Sequence, residues 1–319
     1  MSMTDVVTVG AAIQDVFLSG KVLTPQKQDG EWVEEFPLGA KLDLDEITFS
    51  TGGGATNAAV TLARQGHQVA FMGQVGHDPA GEVILKSLND EDINTDHVIY
   101  SDKFSTGYST LLLAPTGDRT ILTYRGASTH YNIEDFSFAG LEANWLYLST
   151  LSGNMDLVEK LINEAQQKGM KIAVNPGKKE LEEAERLRAL LKHIDIMSLN
   201  REETELLLGH EAEPVDLVRE IAKQVEYFAL TDGPNGAWVS DSNRVIKAGM
   251  YEDVPVKDRT GAGDAFASGF TAKIMAGKSL EEAVTFAAAN STSVVQQIGA
   301  KAGILKGDAK LHDMPIEAL

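Results

Sequence analysis

The chain contains no cysteine. Disulfides, thiolate nucleophiles and Cys-ligated zinc are thereby excluded, and a cytoplasmic location is expected. Long apolar runs are missing too: there is no stretch of about 18 apolar residues, so nothing is read as crossing a membrane. No basic patch leads into an apolar stretch at the start, where Asp5-Val6-Val7-Thr8-Val9-Gly10 reads as a buried first strand rather than a signal peptide. Positive charge is scarce. Lys and Arg number 28 against 47 Asp and Glu, a formal net charge of −19, and no nucleic-acid partner is expected because phosphate-backbone contact needs clustered cations. The acidity is spread over helical stretches such as Glu180-Leu181-Glu182-Glu183-Ala184-Glu185, most simply a solvated face. The seven histidines are scattered without ligand-like spacing.

What is present suits an α/β protein. At 319 residues, with 43% apolar and 24% charged content, the chain can build an ample core as about two domains or as one large unit with a smaller appendage. After the first strand, Val16 to Leu23, Glu31 to Phe36 and Lys41 to Ser50 read as short strands separated by turns such as Gln28-Asp29-Gly30. A second extended patch covers Gly107 to Ala114 and Thr120 to Arg125, joined by the turn Pro115-Thr116-Gly117-Asp118-Arg119. Elsewhere helices and strands alternate: helix 55–65, strand Val69 to Val75, helix 79–89, strand Trp145 to Ser149, helix 155–168, strand Lys171 to Asn175, helix 181–193 and strand Asp195 to Leu199. Such alternation predicts a mainly parallel sheet covered on both faces, with a small β lid over one end. Ligands in such sheets bind beyond the carboxyl ends of the strands, where a lid can close.

The densest chemical signal is Asp258-Arg259-Thr260-Gly261-Ala262-Gly263-Asp264-Ala265-Phe266. A loop without bulky side chains opens a helix, so several N–H groups converge on one spot and the helix dipole adds positive potential. That is an anion hole for a phosphoryl group, with Asp264 at its edge able to accept a proton from a hydroxyl; a Gly-rich turn with Asp264 as a cap is the plainer account of the segment alone. Thr51-Gly52-Gly53-Gly54-Ala55-Thr56-Asn57 lets a ligand approach the backbone, and Asn57 offers a donor and an acceptor; a tight strand-to-helix turn accounts for it equally. Asp15, just past the first strand, can accept two hydroxyls or be a turn residue. Asn200 and Glu203 fall at a strand end and helix start, where Asn200 can bond phosphate or metal-bound water and Glu203 can hold Mg²⁺ through water; acids favouring a helix dipole are the alternative. Thr231-Asp232-Gly233-Pro234-Asn235-Gly236 is a turn at a strand's carboxyl end. Two decoys fail. Gly277-Lys278-Ser279 lacks the earlier glycine of a P-loop, and Ser279 with Glu282 reads as a capping box instead. Neither glycine cluster completes a dinucleotide fingerprint, because Asn57 and Phe266 occupy the final positions.

In this order, Gly10…Asp15, Gly-Gly-Gly-x-x-Asn, Asn-x-x-Glu, Thr-x-Gly-x-x-Gly and Asp-x-Thr-Gly-Ala-Gly-Asp, the motifs resemble the ribokinase/PfkB family of carbohydrate kinases. The resemblance runs from Gly10 to about Gly303. It implies one ribokinase-like doubly wound α/β domain over 1–319, with helices on both faces of a mainly parallel sheet and a small β-sheet lid from about 16–50 and 105–126. It further implies Asp264 as catalytic base, Gly261, Ala262 and Gly263 as anion hole, and Asp15, Gly53 and Asn57 as acceptor site. Asn200 and Glu203 would serve Mg-ATP, and Thr231, Gly233 and Gly236 would line the nucleotide. Asp258 and Thr260 match the positions that hold a monovalent cation such as K⁺. Ribokinase-like members carry Lys where this chain has Gly54, and Asn where it has Ile13. That loss weakens the case for a phosphorylated sugar, Arg125 being the nearest replacement, though an exposed strand-end arginine is the simpler reading. Trp32 and Phe36 can stack on a nucleobase or pack within the lid. The expected activity is ATP-dependent phosphorylation of a sugar hydroxymethyl group, with a nucleoside kinase and a nucleotide-sensing regulator on the same scaffold as alternatives. Unpaired lid edges suggest a homodimer through the lid.

Overall fold

Residues 4–115 and 118–319 are described by a computed structural model. The first strand, Thr4–Val9, lies inside a nine-stranded sheet. Val69–Met72 flanks it on one side and Ala143–Leu148 on the other, followed by Lys171–Val174, Ile196–Asn200 and Tyr227–Thr231, all parallel. Ala237–Ser240, Val245–Ala248 and Ile316–Ala318 extend the sheet antiparallel. The parallel strands read as near-continuous apolar runs because both faces are covered. Val7, Val9, Leu146 and Leu148 enter a core with helices Met155–Gln167, Ala184–Leu190 and Pro214–Ile221. Val6 and Tyr147 enter the opposite core with helices Gly54–Arg64, Pro79–Asn89, Ala262–Met275 and Leu280–Val295.

A separate four-stranded sheet, in the order Arg119–Tyr124, Gly107–Leu113, Ile13–Ser19, Glu46–Gly52, forms the lid. Its first strand begins three residues earlier than expected and ends at Ser19, with Lys21–Leu23 in a 3₁₀ turn. Asp15 is therefore a mid-strand residue and not a turn residue. The expected strand 31–36 is only Glu31–Val33, paired with Gln26–Gln28 in a hairpin outside the lid sheet. Thr116 and Gly117, in the expected lid turn, lie outside the described residues. The expected helix 181–193 is broken into Lys178–Glu182 and Ala184–Leu190 at Glu183. The acidic run there is not wholly a solvated face. Glu180 is buried and accepts from the N–H groups of Leu151 (2.7 Å), Gly153 (2.8 Å) and Gly177 (3.0 Å), which pins the first turn.

Candidate active site

The chain runs from Thr4–Val9 out to Val69–Met72 and returns to Ala143–Leu148 on the other flank. Strand order reverses there, which opens a crevice outside the strands' carboxyl ends. Ser149, Thr150, Asn175 and Ser198 from successive strand ends line a cavity of about 310 Å³, closed on one side by Gly263 and Asp264. A second hollow, lined by Gly233, Gly236, Tyr251 and Thr292, shares Asn200, Thr231, Gly263 and Phe266 with the first. The two are one groove. Among the described residues lining it there is no Lys, Arg or His.

The Gly261–Gly263 segment opens the 14-residue helix Ala262–Met275. Gly261 has φ +78°, and a Cβ there would lie 2.8 Å from Ala300 Cα, so packing and backbone both demand glycine. Gly263 differs: a Cβ there would meet nothing within 4 Å and would project into the groove. The protein's own packing does not explain that glycine, and its place leaves the first helical turn open to the groove.

Asp264 stands at this first turn with one edge facing the groove. Asn57 Nδ2 donates to its Oδ2 at 2.8 Å. Burial pushes the Asp264 carboxyl up, opposed by the Asn57 hydrogen bond and by the Lys301 charge. Desolvation is the largest of these influences. Asn57 Oδ1 is buried and without a partner among the described residues, so the amide orients the Asp264 carboxylate and still offers an acceptor. The turn before it is equally constrained. Gly53 has φ +99° and a Cβ there would lie 2.7 Å from the Ala11 carbonyl carbon, while one at Gly52 would overlap Asp15 Oδ2. Burial pushes Asp15 up to about 6 against the opposing effects of Lys301 and a Ser109 hydrogen bond.

At the nucleotide end, Asn200 and Glu203 do two things at once. Asn200 Oδ1 accepts from Glu203 N and Glu203 Oε2 accepts from Asn200 N, both at 2.8 Å, a complete capping box on Arg201–Leu208. Both also line the groove. Burial raises the Glu203 carboxyl, and the negative charge of Asp264 raises it further. Glu203, in a cavity without a basic side chain, fits a divalent cation held through water and phosphate oxygens, the usual mode for Mg²⁺. Thr231, Gly233 and Gly236 line the same end, as expected.

Asp258 is buried and largely engaged. Oδ1 accepts from Thr260 N (3.0 Å) and Thr260 Oγ1 (2.7 Å), Oδ2 from Gly299 N (3.0 Å), and Arg119 Nε of the lid lies 3.9 Å from Oδ1, beyond hydrogen-bond distance. Three hydrogen bonds leave one acceptor direction open on Oδ2, and no step is assigned to a cation there. Arg125 is exposed at the end of its lid strand and lines neither part of the groove. Trp32 and Phe36 are exposed as well, Trp32 on the separate hairpin, and do not line the groove. Sequence reasoning missed Ser149, Thr150, Asn175 and Ser198, although polar residues where apolar strands end were a visible signal. It also missed Lys301 and Arg119, which come from distant segments. The Ser279–Glu282 capping box is present as expected.

A doubly wound sheet with a β lid, a helix-initial Gly-Ala-Gly-Asp turn and a cation-free acidic groove defines a phosphotransferase-like class of α/β protein. Residues 3–306 match the pfkB family carbohydrate kinase profile, and the chain belongs to that family. It is an ATP-dependent carbohydrate kinase. The chain is 30% identical to the ribokinase of Haemophilus influenzae over 275 residues, 83% of this chain and 88% of that protein. Its fold is similar to the nucleoside kinase of Methanocaldococcus jannaschii, at TM-score 0.78 and 21% identity, covering 96% of each chain. Arabidopsis thaliana ribokinase, solved with ribose and ATP, superposes with TM-score 0.74 at 22% identity over 96% of each chain.

Proposed function

We propose that the protein transfers the γ-phosphoryl group of ATP to a hydroxymethyl group of a free sugar. One observation carries this reading: the Asp264 carboxylate, held by Asn57, borders the first helical turn inside the groove, while Asp15 packs on Gly52 in the loop behind it; Asp15, Gly53 and Asn57 do not themselves line the groove. The sugar lies between lid and sheet, with hydroxyls accepted by Asp15 and contacted by Asn57 and the Gly53 backbone. Asp264 takes the proton of the attacking hydroxyl as its oxygen bonds to the γ-phosphorus, and the bond to the β-phosphate oxygen breaks to release ADP. The first-turn N–H of Gly263 receives the charge spread over the migrating group, with that of Ala262 joining only by giving up its 3.3 Å bond to Arg259 O. Mg²⁺, held through water by Glu203, would neutralise phosphate charge when bound. The raised Asp264 carboxyl suits it to proton acceptance, since a base works best with its affinity near the working pH.

The test is a turnover screen of free pentoses and hexoses, nucleosides and sugar phosphates. Turnover confined to nucleosides would move the assignment to the nucleoside class, which the M. jannaschii neighbour represents. Turnover confined to phosphosugars would refute both readings. Tight nucleotide binding without turnover of any polyol would favour a regulator. Because Asp15 must be ionised to accept hydroxyls and burial pushes it up to about 6, kcat/KM is expected to fall as pH drops through about 6. A profile flat well below that value would remove Asp15 from the acceptor site.

We also infer a homodimer through the lid. The outer face of the lid sheet carries Phe49, Leu122 and Tyr124, each more than half exposed, beside Ile47 and Tyr108. Register places Phe49, Val16, Thr110 and Leu122 in one row across the four strands, with Phe49 and Leu122 exposed at its two ends and Val16 buried between them. Light scattering is expected to report twice the 34.4 kDa chain mass. The double variant Phe49→Glu/Leu122→Glu is expected to halve it.

A further inference from the structure

Lys301 is a buried lysine with no salt bridge in the described residues. It sits in the turn Gly299-Ala300-Lys301-Ala302-Gly303, between small residues, and its side chain runs inward beneath the glycine-rich loop. Its Nζ donates to Thr51 O (2.8 Å), Thr51 Oγ1 (3.0 Å) and Thr56 Oγ1 (2.8 Å). Thr56 Oγ1 is itself committed as a donor to the carbonyls of Gly52 and Gly53, so it can only accept from the lysine. Three acceptors around one nitrogen match the three N–H bonds of an ammonium; a neutral amine would leave one of them unmet. The main chain of the same turn is braced from outside. Arg64 Nη1 donates to the carbonyls of Lys301 (3.1 Å) and Ile304 (2.7 Å), and Arg64 is itself paired with Glu91.

Burying an ammonium costs stability unless it is fully hydrogen-bonded and faces opposite charge. What surrounds Lys301 shows what is gained. Thr51 and Thr56 bracket three glycines, of which Gly54 lines the groove. Asn57, the next residue, holds Asp264, and Gly52 packs directly on the Asp15 carboxylate. We propose that Lys301 is a positioning residue for phosphoryl transfer: its ammonium clamps the glycine-rich loop from below and is the internal counter-charge for Asp15 and Asp264, the two carboxylates that meet the acceptor hydroxyls. The idea rests on the kinase reading above. It assigns to a residue 250 positions from Thr51 the positive charge that the groove itself lacks.

The electrostatics agree with the geometry. Burial pushes the Lys301 ammonium down to about 7, held up by Asp15, Asp264 and Glu91 and lowered further by Arg64. Lys301 in turn lowers both Asp15 and Asp264, while Asp258 raises Asp15. Removing the charge therefore raises both carboxyls, and the acidic limb of the kcat/KM profile moves to higher pH.

The test compares unmodified protein with Lys301→Gln, which keeps two N–H donors without charge, and Lys301→Met, which keeps only bulk. Both are expected to fold, Met with a lower Tm than Gln because it strands the Thr51 and Thr56 acceptors. Each is expected to shift the acidic limb upward by about one pH unit. Thr51→Val, which removes one acceptor and keeps the charge, is expected to leave the limb in place while raising KM for the sugar. Carbon-13 carboxyl NMR of labelled aspartates gives a reading independent of turnover: the Asp15 and Asp264 resonances should titrate at higher pH in either Lys301 variant. An unmoved limb and unmoved resonances in a folded variant overturn the proposal. So does an equal shift in Thr51→Val, since loop packing would then explain everything. If unmodified protein phosphorylates no sugar, the kinase reading fails, and the NMR titration still decides whether Lys301 sets the two carboxyls.

Discussion

Asp264→Asn is expected to lower kcat by about 10²–10⁴-fold at saturating substrate, with the affinity for nucleotide retained. The substitution is nearly isosteric, and the new amide oxygen can still accept the 2.8 Å hydrogen bond from Asn57. Geometry is kept while proton acceptance is lost. Asp264 is also shielded: burial is the main influence on its carboxyl, and Tyr147, packed behind it, has its phenol pushed upward by burial and by the Asp264 charge. No other carboxylate is as well placed. Glu203 has one oxygen committed to the Asn200 N–H, and Asp15 lies on the lid sheet. Steady-state rates with separate KM values for each substrate check the prediction, and near-normal turnover would remove Asp264 as the base.

Gly263→Ala should separate catalysis from folding. A methyl at this position meets no protein atom, and replacing a helical glycine by alanine gains about 0.5–1 kcal/mol in helix propensity. The Tm is therefore expected to stay level or rise. Turnover is expected to fall by about 10²-fold, because the same methyl occupies the space in which phosphoryl oxygens meet the first-turn N–H groups. Gly261→Ala gives the opposite pattern. Its φ of +78° and the nearness of Ala300 make any side chain strained, so the Tm drops along with activity. Differential scanning calorimetry beside initial rates distinguishes the two. A Gly263→Ala protein with full activity would place the phosphoryl group elsewhere.

Local chemistry made much of this legible from residues alone. Helix Pro79–Asn89 was delimited by its own punctuation, with Asp78 capping and proline at the first position. The alternation of apolar strands and amphipathic helices gave the parallel sheet, and the glycine clusters marked both turns of the groove. Distance along the chain hid the rest. Nothing around Ala300 or Ala302 signals that Lys301 reaches Thr51, and nothing near Arg119 signals Asp258. Such pairs exist only once the sheet has brought remote loops together. The break at Glu183 was hidden for a related reason: periodicity treats every glutamate as solvated, while Glu180 is claimed by two amides of another loop and by the N-cap amide of its own helix.

The reciprocal bonds between Asn200 and Glu203 carry a practical warning for anyone dissecting this protein. Truncating either side chain to alanine removes a helix start worth about 1 kcal/mol as well as whatever it gives the nucleotide. A slow, heat-sensitive mutant could then be misread as evidence for ion binding. Glutamine at 203 preserves the reciprocal pair and discards only the charge, so it alone isolates electrostatics from architecture.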